Sequence, residues 1–173
     1  MTNDSAVICR LFFALWPDHC TRTSLVRLQQ PLADRLMHAE DLHITMAFLG
    51  QQPASLLPVL HRLAQQLPRF DLTLRMDRIG YFPRSRIAWL GMQLVPTPLV
   101  ALHDALHAAL AQQGVRSAQH GSFTPHVTLA RDAPPPLPIE IEPIAWRVGK
   151  LVLVQSISVA QGVRYRVLQE GGV

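Results

Sequence analysis

At 173 residues, with 49% apolar and 16% charged side chains, the chain is long enough to bury a core without disulfide or metal staples and too apolar to be a disordered tail. Sixteen basic residues against twelve acidic ones leave a formal charge of +4 and an isoelectric point near 9.8, and every basic residue except Lys150 is arginine. This balance suits an anionic partner, the planar guanidinium favouring phosphate and bases, and no apolar run is long enough to span a bilayer.

In chain order, residues 1–6 are polar and expected to be loose. Val7 to Trp16 is a short apolar run broken by Arg10, with no basic segment ahead of it, and reads as a first strand rather than a leader. Cys9 and Cys20 lack metal-ligand spacing, so a cytoplasmic protein with reduced thiols is expected. Within that strand Leu11, Phe13 and Leu15 share one side and Arg10, Phe12 and Ala14 the other. Leu25, Leu28, Leu32 and Leu36 then fall at helical spacing, interrupted by Pro31. A second helix is predicted from Pro53 to Leu67, and a strand over Phe70 to Met76. Ile79 to Pro83 reads as a turn into a strand from Arg86 to Met92. A long helix opens at Pro96 or Pro98, carries Leu99, Leu102, Leu106 and Leu110 on one stripe, and is stopped by Gly114. Prolines 134 to 138 form a stiff connector. Strands over Ile139 to Val148, Leu151 to Val159 and Val163 to Leu168 close the chain. Three helices against eight or so strands give an α+β class in a single domain over residues 1–173.

Two stretches in this order say the same thing twice: Leu42-His43-Ile44-Thr45-Met46-Ala47-Phe48-Leu49-Gly50 and Pro125-His126-Val127-Thr128-Leu129-Ala130-Arg131. Both read as strands, and alternation places His43, Thr45 and Ala47 on one face and His126, Thr128 and Ala130 on one face, with apolar residues behind. One His-x-Thr would be an ordinary sheet feature, but its repetition with the same flanks predicts a symmetrical site holding two imidazoles and two hydroxyls. Arg131 has the wrong parity for that face unless the strand ends or bulges before it. Among the other histidines, His103 and His107 are four apart on a predicted helix, as metal ligands can be, but Asp104 stands where a glutamate would follow and no third ligand is evident. They are read as solvent-face residues. His19, His38 and His61 are read as bystanders, and His120 is placed outside the cleft.

These motifs, with Phe-Leu-Gly after the first and Phe-Thr-Pro before the second, resemble those of the two-histidine phosphoesterase superfamily, and within it the bacterial RNA 2′,3′-cyclic phosphodiesterases, historically described as 2′-5′ RNA ligases. Supporting segments stand in the expected order: Arg10 to Leu15, Glu40-Asp41 before the first motif, Ser85 to Gly91, Gln155-Ser156 and Arg164-Tyr165. The resemblance implies a bilobal, pseudo-twofold fold with two antiparallel sheets around a central cleft and helices outside. It further implies hydrolysis of 2′,3′-cyclic phosphate RNA ends to 2′-phosphates, with minor reversible 2′-5′ ligation. His126 would activate water and His43 would protonate the leaving 3′ oxygen. Arg131 matches a position that contacts the nucleotide.

The residue types fit that chemistry. In-line opening of a cyclic phosphodiester needs a base and an acid on opposite sides of phosphorus, and imidazole serves in either protonation state near neutrality. A threonine two residues along lies about 7 Å away on the same face, placed to donate to a non-bridging oxygen. Phe12, looking into the same cleft, is a candidate to stack on the base. The expected catalytic set is therefore His43, His126, Thr45 and Thr128, with Arg131 and Phe12 binding substrate, no metal and no cofactor. The expected partner is RNA with a 2′,3′-cyclic phosphate end; no membrane partner is expected, and the protein should be a monomer. Two alternatives stay open: a phosphodiesterase for a small cyclic nucleotide or 2′-5′ oligonucleotide, and a non-catalytic module that binds RNA ends.

Overall fold

A computed structural model describes residues 7–32, 35–118, 122–138, 140–160 and 162–171. His120 and residues 1–6 lie outside the described residues. The fold is α+β, with three α-helices and two antiparallel sheets among the described residues. In order come β1 (Ile8–Leu15), α1 (His19–Gln29), β2 (Ile44–Pro53), α2 (Leu57–Gln66), β3 (Leu72–Met76), β4 (Arg78–Phe82), β5 (Ile87–Gly91), α3 (Thr97–Gln112), β6 (His126–Ala130), β7 (Ile144–Val148), β8 (Leu151–Val159) and β9 (Gly162–Gly171).

Seven strands form one ladder in the order β4-β5-β6-β2-β1-β8-β9, and β3 pairs with β7 in a small second sheet. The ladder consists of two arms, β4-β5-β6 and β2-β1-β8-β9, joined by a single pair, Ile44 opposite Val127. That pair lies between His43 and Thr45 on one strand and between His126 and Thr128 on the other, so the local twofold of an antiparallel pairing runs between the two motifs.

The back of the ladder is the main core. Leu11, Phe13 and Leu15 of β1 pack there with Leu25 of α1, Leu60 of α2 and Leu99, Leu102, Leu106 and Leu110 of α3. The expected alternation of β1 holds: Phe12 and Ala14 face the other way, into a small cluster with Val152 and Val154. Helix α1 starts earlier than its leucine spacing suggests, because Asp18 caps it by accepting from the Thr21 amide at 2.7 Å. Its buried stripe is Thr21, Leu25 and Gln29, and it stops just before Pro31.

Ile79 to Pro83 is not a turn. Arg78 to Phe82 is a full strand paired with β5, and Gly80, which reads as a turn signal, serves a packing purpose instead. A Cβ there would stand 2.1 Å from Cζ2 of Trp89, so the absence of a side chain lets the indole lie flat across the strand. The chain reverses after β4 instead, where Arg86 has φ 53°.

Candidate active site

Both motif strands bulge immediately after their threonine. On β2, Ala14 pairs with Thr45 and Phe13 with Ala47, leaving Met46 unpaired. On β6, Trp89 pairs with Thr128 and Ala88 with Ala130, leaving Leu129 unpaired. One extra residue reverses the alternation that follows it. Ala47 and Ala130, expected on the open face, are therefore in the core, while Phe48 and Arg131 turn to the open face. The parity objection to Arg131 is thereby removed: β6 ends at Ala130, and Arg131 lines the cleft beside both histidines.

The cleft is an open cavity of about 1010 Å³ whose walls include His43, Thr45, His126, Thr128, Arg131 and Phe12, the whole set singled out in the sequence. The two imidazoles are held alike. His43 Nδ1 lies 2.7 Å from the Asp41 carbonyl, and His126 Nδ1 lies 2.7 Å from the Thr124 carbonyl. A carbonyl only accepts, so each ring donates its Nδ1–H and leaves Nε2 for chemistry. His43 Nε2 is 3.1 Å from the Thr45 hydroxyl, which donates to it while the ring is neutral.

Aromatic rings surround both histidines. Trp16 stacks on His43 at 5.2 Å between centroids, with Phe12 at 4.9 Å and Tyr165 at 5.1 Å. Phe82 meets His126 edge-on at 5.0 Å and Trp89 lies 5.9 Å away. Phe12 is only 3% exposed, so its ring supports His43 from behind more than it faces the open cavity. These walls strip water from both imidazoles. Burial pushes the His43 pKa down to about 4, against the opposing pull of the Asp41 carbonyl and carboxylate, with the Arg131 charge lowering it further. Burial, then Arg131, also lowers His126.

Several wall residues were not singled out as functional. Asp41 is 2% exposed; its carboxylate accepts from Arg164 Nε at 2.7 Å and from the Tyr165 amide at 3.2 Å, while its carbonyl orients His43. One residue thus ties the first motif to β9. His38, read as a bystander, lines the cleft: its Nδ1 accepts from the Glu40 amide at 3.2 Å and lies 3.1 Å from an Arg164 nitrogen. Arg10, Arg35, Arg131 and Arg164 face the cavity against Asp41 and Asp132, which are ion-paired to Arg164 and Arg35 respectively. Four guanidinium groups against two carboxylates leave a positive wall suited to phosphate. Arg10, Asp41 and Arg164 stand in segments that carry the family resemblance, and the alternation of Arg10 and Arg164 along their strands becomes informative once the cleft face is known.

His103 and His107 do not lie on a solvent face. His103 stacks on Phe123 at 3.9 Å between centroids, and His107 is half-buried with Nε2 3.1 Å from the Met46 carbonyl. Among the described residues, no three histidine, cysteine, aspartate or glutamate side chains gather in a group that could hold a metal.

Comparison with known proteins agrees with this geometry. Residues 16–159 match the model of the 2′-5′ RNA ligase superfamily. The chain is 36% identical to the RNA 2′,3′-cyclic phosphodiesterase of Escherichia coli, over 73% of this chain and 77% of that protein. It is 30% identical to the RNA 2′,3′-cyclic phosphodiesterase of Thermus thermophilus, over 93% of this chain and 88% of that one. The crystal structure of E. coli LigT complexed with 3′-AMP superposes with a TM-score of 0.80 at 31% identity, covering 95% of this chain and 97% of that one. With twin His-x-Thr strands meeting at one pseudo-twofold cleft, the chain belongs to the 2′-5′ RNA ligase superfamily of two-histidine phosphoesterases.

Proposed function

We infer that the protein is an RNA 2′,3′-cyclic phosphodiesterase, a hydrolase that opens 2′,3′-cyclic phosphate ends to 2′-phosphates. The observation that carries this reading is the pair of imidazoles fixed through Nδ1 to backbone carbonyls, with Arg131 and two threonines lining one cavity with them. Water gives its proton to Nε2 of His126 while its oxygen bonds phosphorus. The bond from phosphorus to the 3′ oxygen breaks, and that oxygen takes a proton from Nε2 of His43. The acid role of His43 follows the resemblance: the Asp41 carboxylate pulls towards a charged imidazole there, but burial outweighs it and keeps the ring neutral before substrate binds. The phosphate supplies the remaining negative charge that a protonated His43 needs. Thr45 and Thr128 donate to the non-bridging oxygens, and Arg131 balances their charge.

With the 5′ hydroxyl of a second RNA in place of water, the same two proton transfers form a bond from phosphorus to the 5′ oxygen, break the bond to the 3′ oxygen and leave a 2′-5′ linkage with a free 3′ hydroxyl, so 2′-5′ ligation is expected as a minor activity. RNA is the expected partner, and the protein is expected to act as a monomer in the cytoplasm: one chain carries both histidines, and its cysteines Cys9 and Cys20 are free thiols. Among the described residues no helix is long and apolar enough to cross a membrane.

The test is turnover, in EDTA, of a short RNA ending in a 2′,3′-cyclic phosphate, by wild type, His43→Ala and His126→Ala. Product bearing a 2′-phosphate, lost at least ~100-fold in each variant, is expected. Turnover confined to mononucleotides would move the substrate to a small cyclic nucleotide, and none at all would favour an RNA-end binding module.

A further inference from the structure

Outside the cleft, one buried and one half-buried side chain meet the motif strands in the same way. Gln29 of α1 is 3% exposed, and its amide donates to the Leu129 carbonyl at 2.8 Å and the Met37 carbonyl at 2.9 Å. His107 of α3 donates from Nε2 to the Met46 carbonyl at 3.1 Å, while its Nδ1 lies 2.7 Å from the Ser117 hydroxyl, which donates to it. Leu129 and Met46 are the residues extruded by the bulges that directly follow the motif threonines; a further bulge on β2 extrudes Leu49.

The arrangement is crossed. Helix α1 precedes the first motif in the chain but braces the second, and α3 precedes the second but braces the first. A bulged residue drops out of the ladder, so its buried carbonyl needs a donor from elsewhere. Here a helix side chain provides it on both sides. Backbone bonds from the connecting segments complete each clamp, Met37 N to Leu129 O at 2.9 Å and Ala118 N to Phe48 O at 2.9 Å. Past each bulge comes the residue turned into the cleft, Arg131 in one motif and Phe48 in the other.

We propose that Gln29 and His107 are positioning residues of the active site, clamping the bulges at Leu129 and Met46 and thereby aiming Arg131 and Phe48 into the cleft. Neither touches substrate. Gln29 acts through Arg131 on the phosphate, and His107 acts through Phe48, over whose ring the Arg10 guanidinium lies at 5.2 Å. Without the side-chain donor the Met46 carbonyl loses the bond from His107 and the Leu129 carbonyl keeps only the Met37 amide, the bulge relaxes towards regular pairing, and the residue two positions on turns away from the cleft. This rests on the phosphodiesterase reading for its kinetic readout but not for its binding readout.

The experiment is a pair of double-mutant cycles, reading kcat/KM on cyclic-phosphate RNA and Kd for 3′-AMP. Gln29→Met keeps the length of the side chain and removes its N–H. It is expected to lower kcat/KM by about 10- to 100-fold, as for a displaced binding group, and to weaken 3′-AMP. In an Arg131→Ala background the same change should cost less than about threefold, because contacts acting in series are non-additive. His107→Leu should behave likewise, with its effect abolished in Phe48→Ala, and His107→Gln, which installs the amide used on the other side, should recover most of the loss. Equal factors in both backgrounds, wild-type kinetics for Gln29→Met, or failure of His107→Gln to improve on His107→Leu would overturn the proposal. Should Gln29→Met not fold, the His107 cycle decides alone. Loss of wild-type turnover with the Kd pattern intact would sink the activity and leave the clamp standing.

Discussion

Replacing Gly80 with alanine tests how the second histidine is supported. The new Cβ would meet three indole atoms of Trp89 at 2.1, 2.3 and 2.4 Å, whereas carbon atoms rest about 3.5–4.0 Å apart, so the ring must retreat by roughly 1.5 Å. It has little room to do so, because Gly91 lies on its other flank, where a Cβ would be 2.7 Å from Cζ3, and Phe82 stands 5.2 Å away. Overpacking of this kind costs about 1–3 kcal/mol, or about 2–12 °C in Tm for a chain of this size. The displaced indole also presses on His126, and a shift near 1 Å at a reacting group lowers kcat/KM by about 100-fold. Thermal unfolding, tryptophan fluorescence and turnover would be measured together. Gly149→Ala is the control, since its Cβ meets only the Phe70 carbonyl at an ordinary 3.6 Å, and it should stay within about 0.5 kcal/mol of wild type. A Gly80→Ala protein with unchanged Tm and kcat/KM would show that the indole is not pinned and that His126 does not depend on it.

Three further outcomes are expected. His43, His107 and His126 all have folded pKa values below the ordinary 6.5, His43 at about 4. The stability they hold is therefore complete above pH 6.5 and is lost as pH falls towards 4; calorimetry finding Tm constant or rising over that window would contradict the burial argument. Asp41→Ala strands the part-buried Tyr165 amide, costing about 1–3 kcal/mol, whereas Asp41→Asn keeps an acceptor and should lose less than half as much in denaturant unfolding. An alanine variant as stable as wild type would dismiss the tie to β9. Arg131→Ala removes a positive charge that lowers both histidines, so both should titrate at higher pH in NMR, with KM raised by about tenfold or more.

The motif strands were legible because period-two patterning and the repeated His-x-Thr are local signals. What followed each threonine was not, because a bulge is set by pairing partners that alternation cannot reveal. Plain alternation therefore sends Ala47 and Ala130 to the open face and Phe48 to the core, the reverse of where the bulges put them. Gly80 misleads for a related reason: a glycine in a strand and a glycine in a turn look alike until the distant Trp89 is placed over it. Helix and loop context makes His103 and His107 read as solvent-face residues and His38 as a bystander, whereas long-range contacts with Phe123, the Met46 carbonyl and Arg164 place them otherwise. The α+β class needed only the element count, whereas the joining of both arms into one ladder depended on a single pair.

That pair, Ile44 with Val127, is the one ladder pair between the arms among the described residues, so any turning of one arm against the other would centre there. When two levers turn about a pin, points beside the pin hardly move and the far ends sweep widely. The histidines and threonines flank the pin, while Arg10, Val163 and Arg164 ride farther out on their arm. Opening or closing of the arms would therefore change how much of an RNA end is gripped while leaving the spacing between proton donor and acceptor almost untouched. A mouth that adapted to its load would in this way stay separate from chemistry that requires fixed distances.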